Sequence, residues 1–203
     1  MYRLEEKSDY TIEIEKSKFI CYLQRIFSEE DAKSYLEHIK KMHPNATHHC
    51  YAFLIGDNNQ IQRSNDNGEP SGTAGVPILE CLKKNEMNDT IAIVVRYFGG
   101  IKLGAGGLIR AYTKSVSEAL ANAHITKKVN TCLYQVIFDY DFIGKLDYYL
   151  NTNNIETLEK EYGEKVAYTI RSEYDISNDF MELTNGKYPL EFIKEEIVEI
   201  RVR

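Results

Sequence analysis

The chain has no tryptophan and only four cysteines in 203 residues. Cys21, Cys50, Cys81 and Cys132 are scattered, with no C-x-x-C pair. That spacing suits neither a zinc site nor a dense disulfide frame, so free buried thiols and no bound metal are expected. No apolar run approaches the roughly 20 residues that span a bilayer, and the N-terminal MYRLEEKSDY has no apolar signal core. No membrane contact is expected, and the expected location is cytoplasmic. Low-complexity segments and short internal repeats are absent. A Walker loop is excluded, because no Gly-Lys-Ser/Thr follows the glycine-rich turn. The dinucleotide G-x-G-x-x-G also lacks its usual setting.

The most telling absence is local. Between Ile91 and Ser117 there is no acidic residue, while Arg96, Lys102, Arg110 and Lys114 are cationic, in a chain of net charge −6. Charge is unevenly spread. Residues 1–129 hold 17 Lys and Arg against 16 Asp and Glu, a net of +1, and residues 130–203 hold 8 against 15, a net of −7. Such asymmetry points to two units, and it argues against phosphate binding over the whole C-terminal surface. The composition, 43% hydrophobic and 28% charged, is that of an ordinary globular protein.

The local patterns order the elements. Tyr10 to Ile26 reads as one or two strands. Ser28-Glu29-Glu30-Asp31 resembles a capped helix start, with Ala32, Tyr35, Leu36 and Ile39 at helical spacing and Pro44 beyond its end. Cys50 to Ile55 reads as a buried strand, and Gln60 to Ser64 as its hairpin partner. Asn65 to Pro77 is a loop rich in small residues, and a short helix follows over 76–84. A strand over 90–97, built on the apolar run Ile91 to Val95, then enters the glycines Gly99, Gly100, Gly104, Gly106 and Gly107, and a helix over 105–123 comes next. From Asn130 the pattern restarts as strand (132–138), helix (142–150), two strands (155–162 and 165–174), helix (178–183) and strand (198–202). This β-α-β-β-α-β order is that of a ferredoxin-like unit, with the boundary near residue 128.

A strand that feeds a glycine-rich turn into a helix presents free backbone N–H groups at the positive end of the helix dipole, a geometry suited to phosphate. The candidate phosphate- or nucleic-acid-binding set is therefore Arg96, Tyr97, Gly99, Gly100, Lys102, Gly104 and Arg110 around that turn. Ser71, Gly72 and Thr73 join it from the small-residue loop, and His49 and Arg63 from the neighbouring strands. The alternative role for Ser71 or Thr73 is to cap the following helix. Strand alternation lets only one of His48 and His49, and only one of Tyr97 and Phe98, face a given site. No catalytic residue is assigned. Were the protein an enzyme, His49, Asp66 and Glu69 are the acid/base candidates. A Ser71-His49-Asp66 triad can be assembled on paper, but no nucleophile-elbow pattern accompanies it.

Four motifs carry a family resemblance. They are Ser17-Lys18-Phe19, His48-His49-Cys50-Tyr51-Ala52, Gly68-Glu69-Pro70-Ser71-Gly72-Thr73-Ala74-Gly75 and Val94 to Gly104 (VVRYFGGIKLG). With them the chain resembles the IMPACT/YigZ family over nearly its full length. One departure is the Asn65-Asp66-Asn67-Gly68 run, where that family suggests a more acidic Asp-Asp-Gly, and this weakens the case for a metal-binding carboxylate pair. The resemblance implies an α+β protein: a ribosomal S-five domain-2-like N-terminal domain over 1–128, then a ferredoxin-like domain over 129–203 similar to domain V of elongation factor G. It implies further that eukaryotic relatives act in translational control, by competing for an activator of a kinase that targets an initiation factor.

Three readings follow. The first is a non-enzymatic RNA- or ribosome-binding protein in translation regulation, needing no cofactor. The second is an enzyme or binding protein for a phosphorylated small molecule. The third is a protein-interaction regulator that docks through the acidic C-terminal domain.

Overall fold

The computed structural model describes residues 1–202. The chain divides into two compact units, Met1–Lys127 with the segment from Arg201 onward, and Lys128–Ile200. The second unit thus ends at Ile200 rather than at 203, and Val202 N donates to Ile125 O at 3.0 Å within the first.

In the first unit a five-stranded antiparallel sheet runs in the order β2-β3-β6-β4-β5. Its strands are β2 (Ser8–Ile14), β3 (Ser17–Arg25), β4 (His48–Ile55), β5 (Ile61–Asn65) and β6 (Thr90–Tyr97). A short β1 (Tyr2–Leu4), not visible in the sequence pattern, pairs with the start of β7 (Ile125–Phe138). Three helices cover the sheet: α1 (Glu29–Met42), α2 (Gly75–Lys84) and α3 (Gly104–Asn122). The Ser28 hydroxyl and the Asp31 carboxylate form a capping box that starts α1, a feature worth about 1 kcal/mol.

Alternation along the strands separates two cores. Phe19, Cys21, Leu23, Cys50, Ala52, Leu54, Ala92 and Val94 face α2 and α3, where Ile78, Leu82, Leu108 and Tyr112 meet them. Ile20, Phe53, Ile55, Ile91, Ile93 and Val95 face α1, against Ala32 and Ile39. β6 is central and apolar on both faces, which is why it reads as an unbroken hydrophobic run.

The second unit contains α4 (Ile143–Thr152), β8 (Glu156–Tyr162), β9 (Val166–Ser172), α5 (Ser177–Thr184) and β10 (Leu190–Arg201). With β7 they make a β-α-β-β-α-β unit whose strands lie in the order β10-β7-β9-β8. This is the ferredoxin-like arrangement. Tyr134, Val136 and Phe138 of β7 pack with Tyr168, Leu146 and Phe180 beneath the helices. β10 begins eight residues before the expected strand. Its early part, Glu191 to Glu195, is exposed, so no clean alternation marks it. All four cysteines are free. No described helix is long and apolar enough to cross a membrane.

Candidate functional site

The end of β6 sets the geometry. Arg96 continues the face of Ala92 and Val94, and so points toward α2 and α3. The register places His48 opposite Arg96 on β4, and pairs Phe19 with Arg96 on β3. The Arg96 guanidinium lies between two rings, 5.4 Å from the centroid of Phe19 and 5.5 Å from that of Phe98. Although only 5% of Arg96 is exposed, it is charge-paired. Its Nη1 donates to Glu69 Oε1 at 2.6 Å, while Nη2 reaches Ser17 Oγ at 3.4 Å.

Glu69 joins this network from the loop before α2. The Tyr112 hydroxyl of α3 donates to the same Oε1 at 2.8 Å. Burial, then the neighbouring Cys50 and Glu69, push the Tyr112 phenol far above its ordinary value, so it stays a hydrogen donor. Burial also pushes the Cys50 thiol up to about 12. It donates to Asp66 O at 2.9 Å rather than acting as a thiolate.

Asp66 holds the loop together. Its Oδ1 accepts from Ala74 N and Gly75 N, and its Oδ2 from Gly72 N, at 2.8–2.9 Å. Burial opposes the charge, but the three amides together hold the carboxyl below its ordinary range. Asp66 thereby serves the orphan donors at the start of α2 from eight and nine residues upstream. Thr73 does not: its hydroxyl donates to Pro70 O. Ser71 is exposed and does not cap the helix either. The close fit reaches Gly75, where a Cβ would stand 2.6 Å from Asn65 N.

Above this network lies a cleft of about 460 Å³, with His48, Glu69, Arg96, Phe98, Lys102 and Gly104 in its wall. Phe98 is 47% exposed. Lys102 makes no ion pair with any described residue. α3 begins beside it with no side-chain cap and no acidic residue in its first turn, leaving the amides of Gly104, Ala105 and Gly106 without intrahelical partners.

The two units also match known domain families. The Impact N-terminal domain model matches residues 15–120, and the domain of unknown function DUF1949 matches residues 136–187. The IMPACT family member YvyE of Bacillus subtilis is 47% identical, over 92% of this chain and 88% of that protein. The chain belongs to the IMPACT family. YigZ of Escherichia coli, also an IMPACT family member, is 36% identical over 74% of each chain. A crystal structure of a hypothetical protein matches 95% of this chain and 97% of its own, with a TM-score of 0.61 and 30% identity.

In this IMPACT family chain the candidate residues divide sharply. Arg96, Lys102, Gly104 and Glu69 come together at the cleft. Arg110 is exposed on α3, with Nη1 3.7 Å from where a Gly106 Cβ would stand. His49 and Tyr97 do not join them. They sit on the opposite sheet face, where His49 Nε2 donates to His43 O at 3.1 Å. There the His43 ring bridges the hydroxyls of Tyr97 (2.8 Å) and Tyr22 (2.7 Å). Arg63 is on the edge strand β5 and pairs with Glu29 at 3.0 Å. The amides of Gly72 and Gly99 are occupied, by Asp66 and by Ser17 Oγ. Gly99 is required for a different reason: a Cβ there would lie 2.0 Å from the carbonyl of Lys16. Gly100 is exposed, with φ of +89°.

Asp66 and Glu69 do not form an acid/base pair, since Asp66 is bound by amides and Glu69 Oε1 by Arg96 and Tyr112. Among the described residues, no three His, Cys, Asp or Glu side chains gather as a metal site. The sequence reading missed His48 and Tyr112 as cleft and network residues, and left Phe98 open against Tyr97. Counting two by two along β4 and β6 from Arg96 would have chosen His48 and rejected Tyr97, once the register was known.

Proposed function

We propose that this protein is a non-enzymatic, RNA-binding regulator of translation in the cytoplasm, and that the cleft between Phe98, Lys102 and the start of α3 is its contact. One observation supports the reading: an exposed aromatic ring, a cation without an ion pair among the described residues, and the uncapped helix start at Gly104 and Ala105 line one cleft. Bases stack on such a ring at a gain of about 1–3 kcal/mol each. Phosphates take the amides and the lysine. The carboxylates that phosphoryl chemistry would need are engaged within the fold, which favours binding over turnover. Placing that contact in translation rests on what the family resemblance implies for eukaryotic relatives.

The test is fluorescence anisotropy of a labelled single-stranded RNA, titrated with the full-length protein over a range of salt. Binding should weaken as salt rises, and Lys102→Ala should lower the logarithmic salt slope by about 0.7 to 1. Phe98→Ala should weaken binding by about tenfold. No binding at low salt, or binding indifferent to salt and to Lys102→Ala, would refute the reading. Thermal stabilisation by a free nucleotide or sugar phosphate, without RNA binding, would favour the small-molecule alternative.

A further inference from the structure

The sheet of the second unit has two edges, and they are built differently. β8 is seven residues long, its register with β9 shifts between Thr157 and Glu159, and its Lys160 is tied to Asp147 at 2.8 Å. Short strands, bulges and lysines are usual means of blunting an edge. β10 is twelve residues long and pairs with β7 alone among the described strands. Its far side therefore carries backbone N–H and C=O groups with no neighbouring strand. Five consecutive residues, Glu191 to Glu195, are exposed. Neighbours along a strand point to opposite faces, so this stretch is open on both. Phe192 is 53% exposed and Ile193 46%, and Ile197 beyond them is 67% exposed. A long apolar edge of this kind is a template for another strand. Its charge is one-sided as well. Leu190 to Ile200 holds four glutamates, Glu191, Glu195, Glu196 and Glu199, against Lys194, a net of −3. Glu196 is engaged by Arg171 and by Lys194, each at 2.8 Å. Glu191 and Glu195 make no ion pair with any described residue.

We infer that this edge takes up a basic, extended segment of a partner protein as an added strand of the sheet. The backbone of β10 supplies the hydrogen bonds, and its side chains select the partner. Phe192, Ile193 and Ile197 call for apolar, β-branched residues across from them. Glu191 and Glu195 call for lysine or arginine, because opposite charges across a strand pair stabilise it and like charges destabilise it. A second copy of β10 would set a net charge of −3 against −3. The charges that admit a basic strand thus disfavour self-pairing. They repel a phosphate backbone for the same reason, which separates this edge from the cleft of the first unit. Neither surface depends on the other.

The experiment uses the full-length protein and a labelled peptide of alternating lysine and valine, about ten residues long. Anisotropy titrations compare it with a glutamate–valine peptide, which reverses the charge, and with a lysine–glycine peptide, which keeps the charge but forms strands poorly. The lysine–valine peptide should bind about tenfold tighter than either control. It should also slow amide exchange in β10 more than in β8. The double variant Glu191→Lys, Glu195→Lys should weaken binding about tenfold with its circular dichroism unchanged. Equal binding of the lysine–valine and lysine–glycine peptides would reduce the contact to charge attraction and overturn strand addition. Exchange protection confined to another element, affinity untouched by the double reversal, or no binding at low salt would overturn it too. A dimer of the unaltered protein in sedimentation, dispersed by Ile193→Lys, would replace the basic partner with a second copy. The three peptides are compared on unaltered protein, so the outcome does not depend on the variant folding. RNA enters none of these readouts, so failure of the RNA-binding reading would be seen separately.

Discussion

Replacing Glu69 with alanine is the sharpest test of the network under the cleft. Arg96, 5% exposed in the intact fold and held between Phe19 and Phe98, would lose its carboxylate partner and keep Ser17 Oγ, at 3.4 Å, as its remaining side-chain hydrogen-bond partner. It also removes the acceptor of the buried Tyr112 hydroxyl. Leaving one member of a buried pair uncompensated costs about 3–5 kcal/mol. The first unit has about 130 residues. At an unfolding entropy of about 2.1 cal/mol/K per residue, its thermal midpoint should fall by about 11–18 °C. Calorimetry on the full chain measures the shift. Amide hydrogen exchange of β4 and β6 peptides assigns it to the first unit. A drop below about 4 °C, equivalent to about 1 kcal/mol, would refute the argument that Glu69 neutralises a charge with no other refuge. The double variant Glu69→Leu, Arg96→Met provides the control. Removing both charges should restore more than half of the loss, whereas independent contacts would simply add.

Other expectations follow from the same geometry. Asp66→Asn should cost about 1–2 kcal/mol by urea denaturation at neutral pH, because an amide side chain cannot accept all three backbone hydrogens. Since the folded state holds Asp66 below the ordinary value of about 3.9, its contribution is present above that pH and is lost as pH falls through the folded value, so the variant should show a shallower acid limb. Burial, with Lys18 nearby, lowers His43 below about 6.5, so the first unit should lose stability as pH falls from 6.5 toward the folded value, and His43→Gln should flatten that slope in pH-dependent denaturation. Gly99→Ala should destabilise by at least about 1–3 kcal/mol, because its Cβ meets the Lys16 backbone at 2.0 Å. Gly106→Ala meets only Arg110 Nη1 at 3.7 Å and should raise the thermal midpoint slightly. Equal effects of the two glycine changes would contradict the packing described.

Much of the fold was legible because local chemistry and tertiary position agree. Ser28 to Asp31 carries its cap within four residues. Ile91 to Val95 is apolar throughout, and β-branched at all but Ala92, because both faces of β6 are covered, and the ferredoxin-like order of the second unit follows from well-separated patterns. β1 was not legible, since three residues carry no period. The site was harder to read. In β4, Cys50, Ala52 and Leu54 face one core while Tyr51, Phe53 and Ile55 face the other. Both sets are largely apolar, so nothing in the strand itself distinguishes His48 from His49. Asp66 as the cap of α2 was also hidden. Capping motifs act over two or three residues, and here the loop folds back to bring the carboxylate to amides up to nine residues away.

The end of β6 joins two groups that share no side-chain contact. Arg96 belongs to the cleft side and Tyr97 to the His43 side, with one peptide bond between them. Thr47 ties both to the next residue: its N–H donates to Arg96 O at 2.8 Å, and its hydroxyl accepts from Phe98 N at 3.1 Å. On the proposed reading, a ligand whose base stacks on Phe98 pulls on that clamp, and through Tyr97 on the imidazole bonded to its hydroxyl. His43 should then serve as a reporter: a change in its ring resonances on adding RNA, from a residue outside the cleft, is the expected signal of binding.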